Sequence, residues 1–175
     1  MTYELRRLTD VSDAQVHELA ALLIDCVEGG ASVSFMLPLA HERAHAFWRR
    51  VAQGVHNGER ALLVAEDAQG AIVGTVQLVL DQPENQPHRA DLAKMLVHRR
   101  ARRNGLGEQL IRAAEDMACN CGKTLLVLDT VSGGDAERLY TRLGWQRVGS
   151  IPGYALWPQG GLCATTYFYR RIGSA

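Results

Sequence analysis

Apolar and polar positions change their period several times along this chain, and each change marks an element. Tyr3 to Leu8 alternates as a strand does. Val16, Leu19, Leu23 and Val27 recur at three- and four-residue steps, which predicts a helix over 13–27, capped by Asp10 or Ser12. Glu28 to Pro38 has no period and opens on Gly29-Gly30, so it reads as a loop. It nevertheless holds Val33, Phe35, Met36 and Leu37, which suit a segment packed on the core or one wall of a pocket. A second helix is expected from Leu39 to about His56, with Pro38 near its first turn. Ala61 to Glu66 and Ile72 to Leu80 are strands joined at Asp67 to Gly70, a hairpin. Gln82 to Pro87 is a polar loop with two prolines.

Asp91 to Val97 is the next strand. From about Gly105 the pattern turns helical through Leu106, Leu110, Ile111, Ala114 and Met117, and Gly122 is placed as its C-terminal stop. Thr124 to Thr130 is a buried-type strand, Ser132-Gly133-Gly134-Asp135 a turn, and Ala136 to Leu143 a helix. The chain returns to a strand at Trp145. Ile151 to Gly161 is rich in Pro and Gly and reads as a loop before a last strand at Ala164 to Tyr169. Strands alternate with helices around one sheet, so the expected class is α/β (α+β), one domain over 1–175.

The stretch DLAKMLVHRRARRNGLG, from Asp91 to Gly107, carries the chemistry. It is a strand, a basic turn with Arg99, Arg100, Arg102 and Arg103, and a helix mouth punctuated by Gly105 and Gly107. A helix mouth leaves about four backbone N–H groups unpaired and carries roughly half a positive charge. Glycines let an anion approach the backbone, and arginine grips phosphate oxygens well. The stretch reads as a seat for a diphosphate.

Composition narrows the partners. Lys+Arg and Asp+Glu are both 19, so the formal charge is zero, which argues against a dedicated nucleic-acid binder. The run His98 to Arg103 joins a strand to a helix rather than forming a free basic tail. The start MTYELRRLTD has no apolar signal core and no stretch of 18 apolar residues exists, so a cytoplasmic protein without membrane contact is expected. Cys26, Cys119, Cys121 and Cys163 suit small, mostly buried fillers without disulfides, the first three in helices.

Three motifs compete for attention. His41-Glu42-Arg43-Ala44-His45 spells H-E-x-x-H, which would place two zinc ligands on one helical face. The extended form of that motif asks for Gly at 48 and His at 51, where Trp48 and Val51 stand, so His41 and His45 read as a wet helix face and no metal is expected. Gly122-Lys123-Thr124 imitates the end of a P-loop, but Met117 stands where its first glycine belongs, and a strand follows. The Rossmann pattern fails because Leu110 replaces its third glycine.

Arg102-Arg103-Asn104-Gly105-Leu106-Gly107 resembles the [RQ]-x-x-G-x-[GA] signature of the GNAT N-acetyltransferases, after a strand that is similar to their fourth. Gly29-Gly30-Ala31-Ser32-Val33, Phe35-Met36 and Ile151-Pro152-Gly153-Tyr154 resemble more narrowly the tabtoxin-resistance branch. The resemblance implies a central mixed, mostly antiparallel sheet with a splay between the fourth and fifth strands, and helices on both faces. It implies acetyl-CoA as cosubstrate, its pantetheine arm along Met95, Leu96 and Val97. The diphosphate would lie on Arg102 to Gly107, with Asp135 and Tyr140 completing the cofactor contacts. A small-molecule primary amine would be the acceptor, an antibiotic or toxin of the tabtoxin type among the choices. A homodimer is compatible with the family.

Acetyl transfer needs a deprotonated amine, a stabilised carbonyl oxygen and a proton for the departing thiolate. Tyr140 resembles the family tyrosine that faces the CoA sulfur and is assigned as general acid. Asp129, at the end of an apolar strand, is the candidate base, its carboxyl expected to be buried and so raised in pKa. Its other reading is a turn cap, and Glu28, Asp91 and His88 are rivals as base. Glu28, Ser32, Phe35 and Asp129 form the expected acceptor site. A non-catalytic acyl-CoA-binding module and an H-E-x-x-H zinc hydrolase are the alternative functions.

Overall fold

The computed structural model describes residues 2–173. Seven strands form one sheet in the order β1-β2-β3-β4-β5-β7-β6: β1 Glu4–Leu8, β2 Arg60–Glu66, β3 Ile72–Val79, β4 Arg89–Val97, β5 Leu125–Val131, β6 Gln146–Leu156 and β7 Leu162–Arg171. Among the described residues only β4 and β5 run parallel; the other neighbours are antiparallel. The helices are α1 Asp13–Glu28, α2 His41–His56, α3 Leu106–Asn120 and α4 Asp135–Arg142, with one 3₁₀ turn at Arg99–Ala101.

Both sheet faces are covered, which is why β2 and β3 read as nearly continuous apolar runs. On one face Leu19, Leu23 and Val27 of α1 and Trp48 and Val51 of α2 pack with Leu62, Val64 and Leu96. On the other, Leu106, Leu110, Ile111 and Ala114 of α3 pack with Val76, Leu92, Leu126 and Phe168, and Tyr140 of α4 joins them. Among the described residues no helix is long and apolar enough to cross a membrane.

Local signals account for most ends. Ser12 caps α1: its hydroxyl accepts from the Gln15 N–H, and the Gln15 side chain accepts from the Ser12 N–H at 2.9 Å. Gly122, at φ +73°, follows the end of α3 in the left-handed conformation that a helix stop favours. The second helix starts two residues later than expected, at His41 with Ala40 as its cap, so Pro38 lies outside it.

The larger correction concerns 151–161. The expected loop is instead the second half of β6, which runs to Leu156 before a short turn, with its register slipped between Ile151 and Ala155. Because β6 is the sheet edge, Pro152 and Gly153 disturb no second neighbour there. The cysteines divide: Cys26 and Cys163 are buried, whereas Cys119 is exposed and Cys121 falls just past α3.

Candidate active site

The sheet opens between β4 and β5. Their pairing covers only Arg89↔Leu125, Ala90↔Leu126 and Asp91↔Val127. Beyond it, β4 stays with β3 as far as Gly74↔Val97, and β5 stays with β7 as far as Val131↔Thr165. Two strand edges therefore face each other across a widening gap, at the carboxyl ends of both strands, where open α/β sheets take ligands.

A bulge in β4 sets the lip of this gap. Ala93 pairs with Gln77 and Leu96 with Thr75, so Lys94 and Met95 together oppose Val76 alone, and Lys94 takes φ +49°. The bulge exchanges the faces: Leu92 packs on the α3 side, and after it Met95 and Val97 do, while Leu96 turns to the α1 side. The His98 N–H donates to Val73 O at 2.9 Å, so by alternation the main chain of Met95 and Val97 faces the gap. The Val97 carbonyl already accepts from Arg102 Nε at 3.1 Å and from Cys26 Sγ at 3.6 Å. The Val97 N–H and the Met95 main chain are what that edge offers.

The mouth of α3 lies just beyond. Gly105 caps α3 at φ +76° with no side-chain cap, and the nearest atom to a Cβ placed there would be Gln109 Nε2 at 3.9 Å. The first amides of α3 thus lie open, as an anion seat requires. Gly107 serves differently: a Cβ there would stand 3.1 Å from Leu139 Cδ2, so this glycine lets α3 and α4 approach. The arginines of the turn divide their work. Arg99 holds Asp25, its N–H and Nε donating at 2.9 and 2.8 Å, and Arg100 holds Asp67 at 2.8 Å. Burial acts to raise the Asp25 pKa, but the two Arg99 hydrogen bonds prevail and lower it. Arg102 folds back on Val97, and Arg103 sits exposed at φ +61°.

Tyr140 projects from α4 into the core on the α3 side, 3% exposed, its ring 5.5 Å from Trp145 and 6.0 Å from Phe168. Burial and then the Asp129 charge push its phenol well above the ordinary tyrosine pKa, so it keeps its proton. Asp129 departs from expectation. It is exposed, not buried, because β4 has parted from β5 by this point, so the burial on which its choice as base rested is absent. Thr165 Oγ1 donates to its Oδ2 at 2.7 Å, fixing the carboxylate from β7.

The residues expected to form the acceptor site come together in part. The loop after α1 reaches the β6–β7 hairpin: Ser32 Oγ donates to Leu156 O at 3.3 Å and the Leu37 N–H to Pro158 O at 2.9 Å. Phe35 packs edge-on against Phe47 of α2 at 5.3 Å. Glu28 lies instead beside the basic turn, 3.6 Å from Arg99. His88 precedes β4 at the joined end of the two strands, its carbonyl accepting from Thr124 N–H at 2.8 Å, which places it away from the opening. Asp91 is tied to Arg89 and accepts from Gln82 Nε2 at 3.1 Å. Asp135 is highly exposed and paired with Arg138.

Four residues of this side were not singled out by the sequence: Lys94, Ser34, Phe47 and Tyr167. Lys94 left a signal, since apolar positions 92, 95 and 97 change step around it, the mark of a bulge. Tyr167 pairs with Asp129 in register and shares a hydrogen bond with Tyr154, hydroxyl to hydroxyl, at 2.9 Å; this bond, then burial, then Asp129 push its pKa up to about 12.

The histidine motif does not form a wet face alone. His17 of α1 packs on it, 4.6 Å from the His41 ring and 6.4 Å from that of His45. Among the described residues no group of three or more His, Cys, Asp or Glu is arranged to hold a metal ion.

A sequence profile of the acetyltransferase (GNAT) family matches residues 19–145, which include β4, its bulge, the basic turn, α3 and Tyr140. The chain belongs to the GNAT acetyltransferase family. It is 31% identical over 127 residues to an uncharacterized N-acetyltransferase in the hisH-hisA intergenic region of Azospirillum brasilense, covering 71% of this chain and 73% of that protein. The fold is that of yncA from Salmonella typhimurium, solved with its cofactor acetyl-CoA (TM-score 0.79, 19% identity, 100% and 96% of the two chains). It is equally that of a phosphinothricin acetyltransferase from Sinorhizobium meliloti in complex with acetyl-CoA (TM-score 0.81, 18% identity, 99% and 90%). The expected mixed, mostly antiparallel sheet with its β4–β5 splay and helices on both faces is the one observed.

Proposed function

We propose that this chain transfers the acetyl group of acetyl-CoA to the primary amine of a small molecule. One observation carries the reading: the β4–β5 opening has the uncapped mouth of α3 beyond one lip and a buried, protonated Tyr140 on its α3 side. Amides from Arg103 to Gly107 suit the diphosphate, with Arg102 and Arg103 as its cationic flank. The gap-facing main chain of Met95 and Val97 suits the pantetheine arm, with Leu96 between them turned to the core. Asp135 is the least supported of the cofactor contacts, since Arg138 occupies it.

In the chemistry, the amine nitrogen forms a bond to the thioester carbon, and the carbon–sulfur bond then breaks. A main-chain N–H of the β4 edge stabilises the carbonyl oxygen as it gains charge. Tyr140 gives its proton to the departing sulfur, and Asp129, directly or through water, takes the proton of the amine. An exposed carboxylate held by Thr165 suits relay through water better than direct contact.

The segments that resemble the tabtoxin-resistance branch lie in one place. The loop carrying Ser32 and Phe35 touches the β6–β7 hairpin that follows Ile151 to Tyr154. This supports small antibiotic or toxin amines as acceptors. The test is a screen of CoA release from acetyl-CoA over a panel of amines. Release that depends on an amine supports the transferase. Acetyl-CoA binding with no release over the whole panel would instead make the chain an acyl-CoA-binding module.

A further inference from the structure

Among the described residues, three that are not glycine hold a left-handed backbone: Ser34 at φ +77°, Lys94 at +49° and Arg103 at +61°. All three border the opening, where such strain accumulates when a site requires it. Arg103 belongs to the α3 mouth. The other two are joined, Lys94 Nζ donating to Ser34 Oγ at 3.2 Å. The bulge aims Lys94 to the acceptor side, where its ammonium lies 5.6 Å from the centre of the Phe47 ring. No carboxylate forms an ion pair with it among the described residues, and an ammonium has three protons to donate. Burial lowers its pKa, the field of Asp129 acts to raise it, and Arg60 adds to the lowering. A half-buried cation without an anion is costly, and a bound anion relieves it.

We infer that Lys94 receives an anionic group of the acceptor, so that the acceptor class is amino-acid-like, an amine with a carboxylate beside it. The inference rests on the transferase reading above. Asp129 on β5 and Lys94 on β4 put opposite charges on the two lips of the opening. A zwitterion matches that pair, its amine toward Asp129 and its carboxylate toward Lys94. A polyamine would set a second ammonium against Lys94, and a plain alkylamine would leave Lys94 unmatched.

The experiment measures CoA release for amino acids of several side-chain lengths beside their carboxamides, in the wild type and in Lys94→Met, with acetyl-CoA affinity measured by calorimetry. Methionine keeps the stem on Phe47 and removes the charge. The wild type should favour each carboxylate over its carboxamide by roughly tenfold or more in kcat/KM, mainly through KM. Lys94→Met should bring that ratio close to one by losing the carboxylate rate. A wild type indifferent to the carboxylate overturns the assignment. So does a variant that loses both members of each pair equally, which would mark Lys94 as structural or as a proton carrier. A chain that binds no acetyl-CoA, or acetylates nothing in the panel, overturns the transferase reading and this assignment with it.

Discussion

Trp145 Nε1 donates to Glu115 Oε1 at 2.9 Å, joining the start of β6 to the middle of α3 through a carboxylate that is only 8% exposed. Arg170 Nε approaches the same oxygen at 3.2 Å from β7. The Trp145 ring in turn lies against Tyr140. One buried, fully partnered carboxylate therefore fixes the wall on which the proposed acid rests.

Replacing it should be felt in stability first. Glu115→Leu leaves the Trp145 N–H and the Arg170 guanidinium without their partner, a loss of about 3 kcal/mol. Urea unfolding should show a lower midpoint with an unchanged slope. A midpoint within error of the wild type would mean that the two groups find other partners.

Tyr140→Phe keeps the ring and removes the proton. Turnover should fall about 100-fold with acetyl-CoA affinity and fold retained. A second signature follows from the raised phenol pKa. The folded chain holds this proton more tightly than the unfolded chain does, so Tyr140 contributes stability at neutral pH that is lost as pH rises above about 10. The variant should lose less stability between neutral and strongly alkaline pH than the wild type. Equal alkaline losses, or unchanged turnover, would remove Tyr140 from its role.

The two glycines of the α3 mouth should fail differently. Gly105→Ala strains a left-handed residue by about 1–2 kcal/mol at the seat itself, so KM for acetyl-CoA should rise while kcat changes little. Gly107→Ala pushes on Leu139, the neighbour of Tyr140, so kcat should fall as well. Identical steady-state changes in the two variants would contradict this division.

Asp129→Asn tests the base. With the carboxylate gone, turnover near pH 7 should fall about 100-fold and recover as pH approaches the pKa of the acceptor amine, which then arrives deprotonated. A pH–rate profile superimposable on that of the wild type would assign proton removal elsewhere.

Much of the fold is legible in the sequence. Helices α1 and α3 carry their own periodicity and stops, and the proposed diphosphate seat is a local feature, a basic turn followed by Gly105 and Gly107. The surprises are nonlocal. Asp129 looked buried because β5 is apolar, but its exposure follows from the parting of β4, which only the sheet displays. The second half of β6 reads as a loop because Pro152 and Gly153 break strands, and only its edge position makes them tolerable. Lys94 lies in a strand as expected, but the change of step at 92, 95 and 97 marks only the bulge, while the partners it meets, Ser34 and Phe47, are distant in sequence.

The open amides after the basic turn are proposed to hold the diphosphate of acetyl-CoA. Calorimetric titration of the purified chain with acetyl-CoA, repeated for Gly105→Ala and Arg103→Ala, tests it most directly. One site per chain is expected, weakened in both variants, with the arginine variant losing its share as salt is raised. Absence of binding, or binding untouched by either substitution, would contradict it.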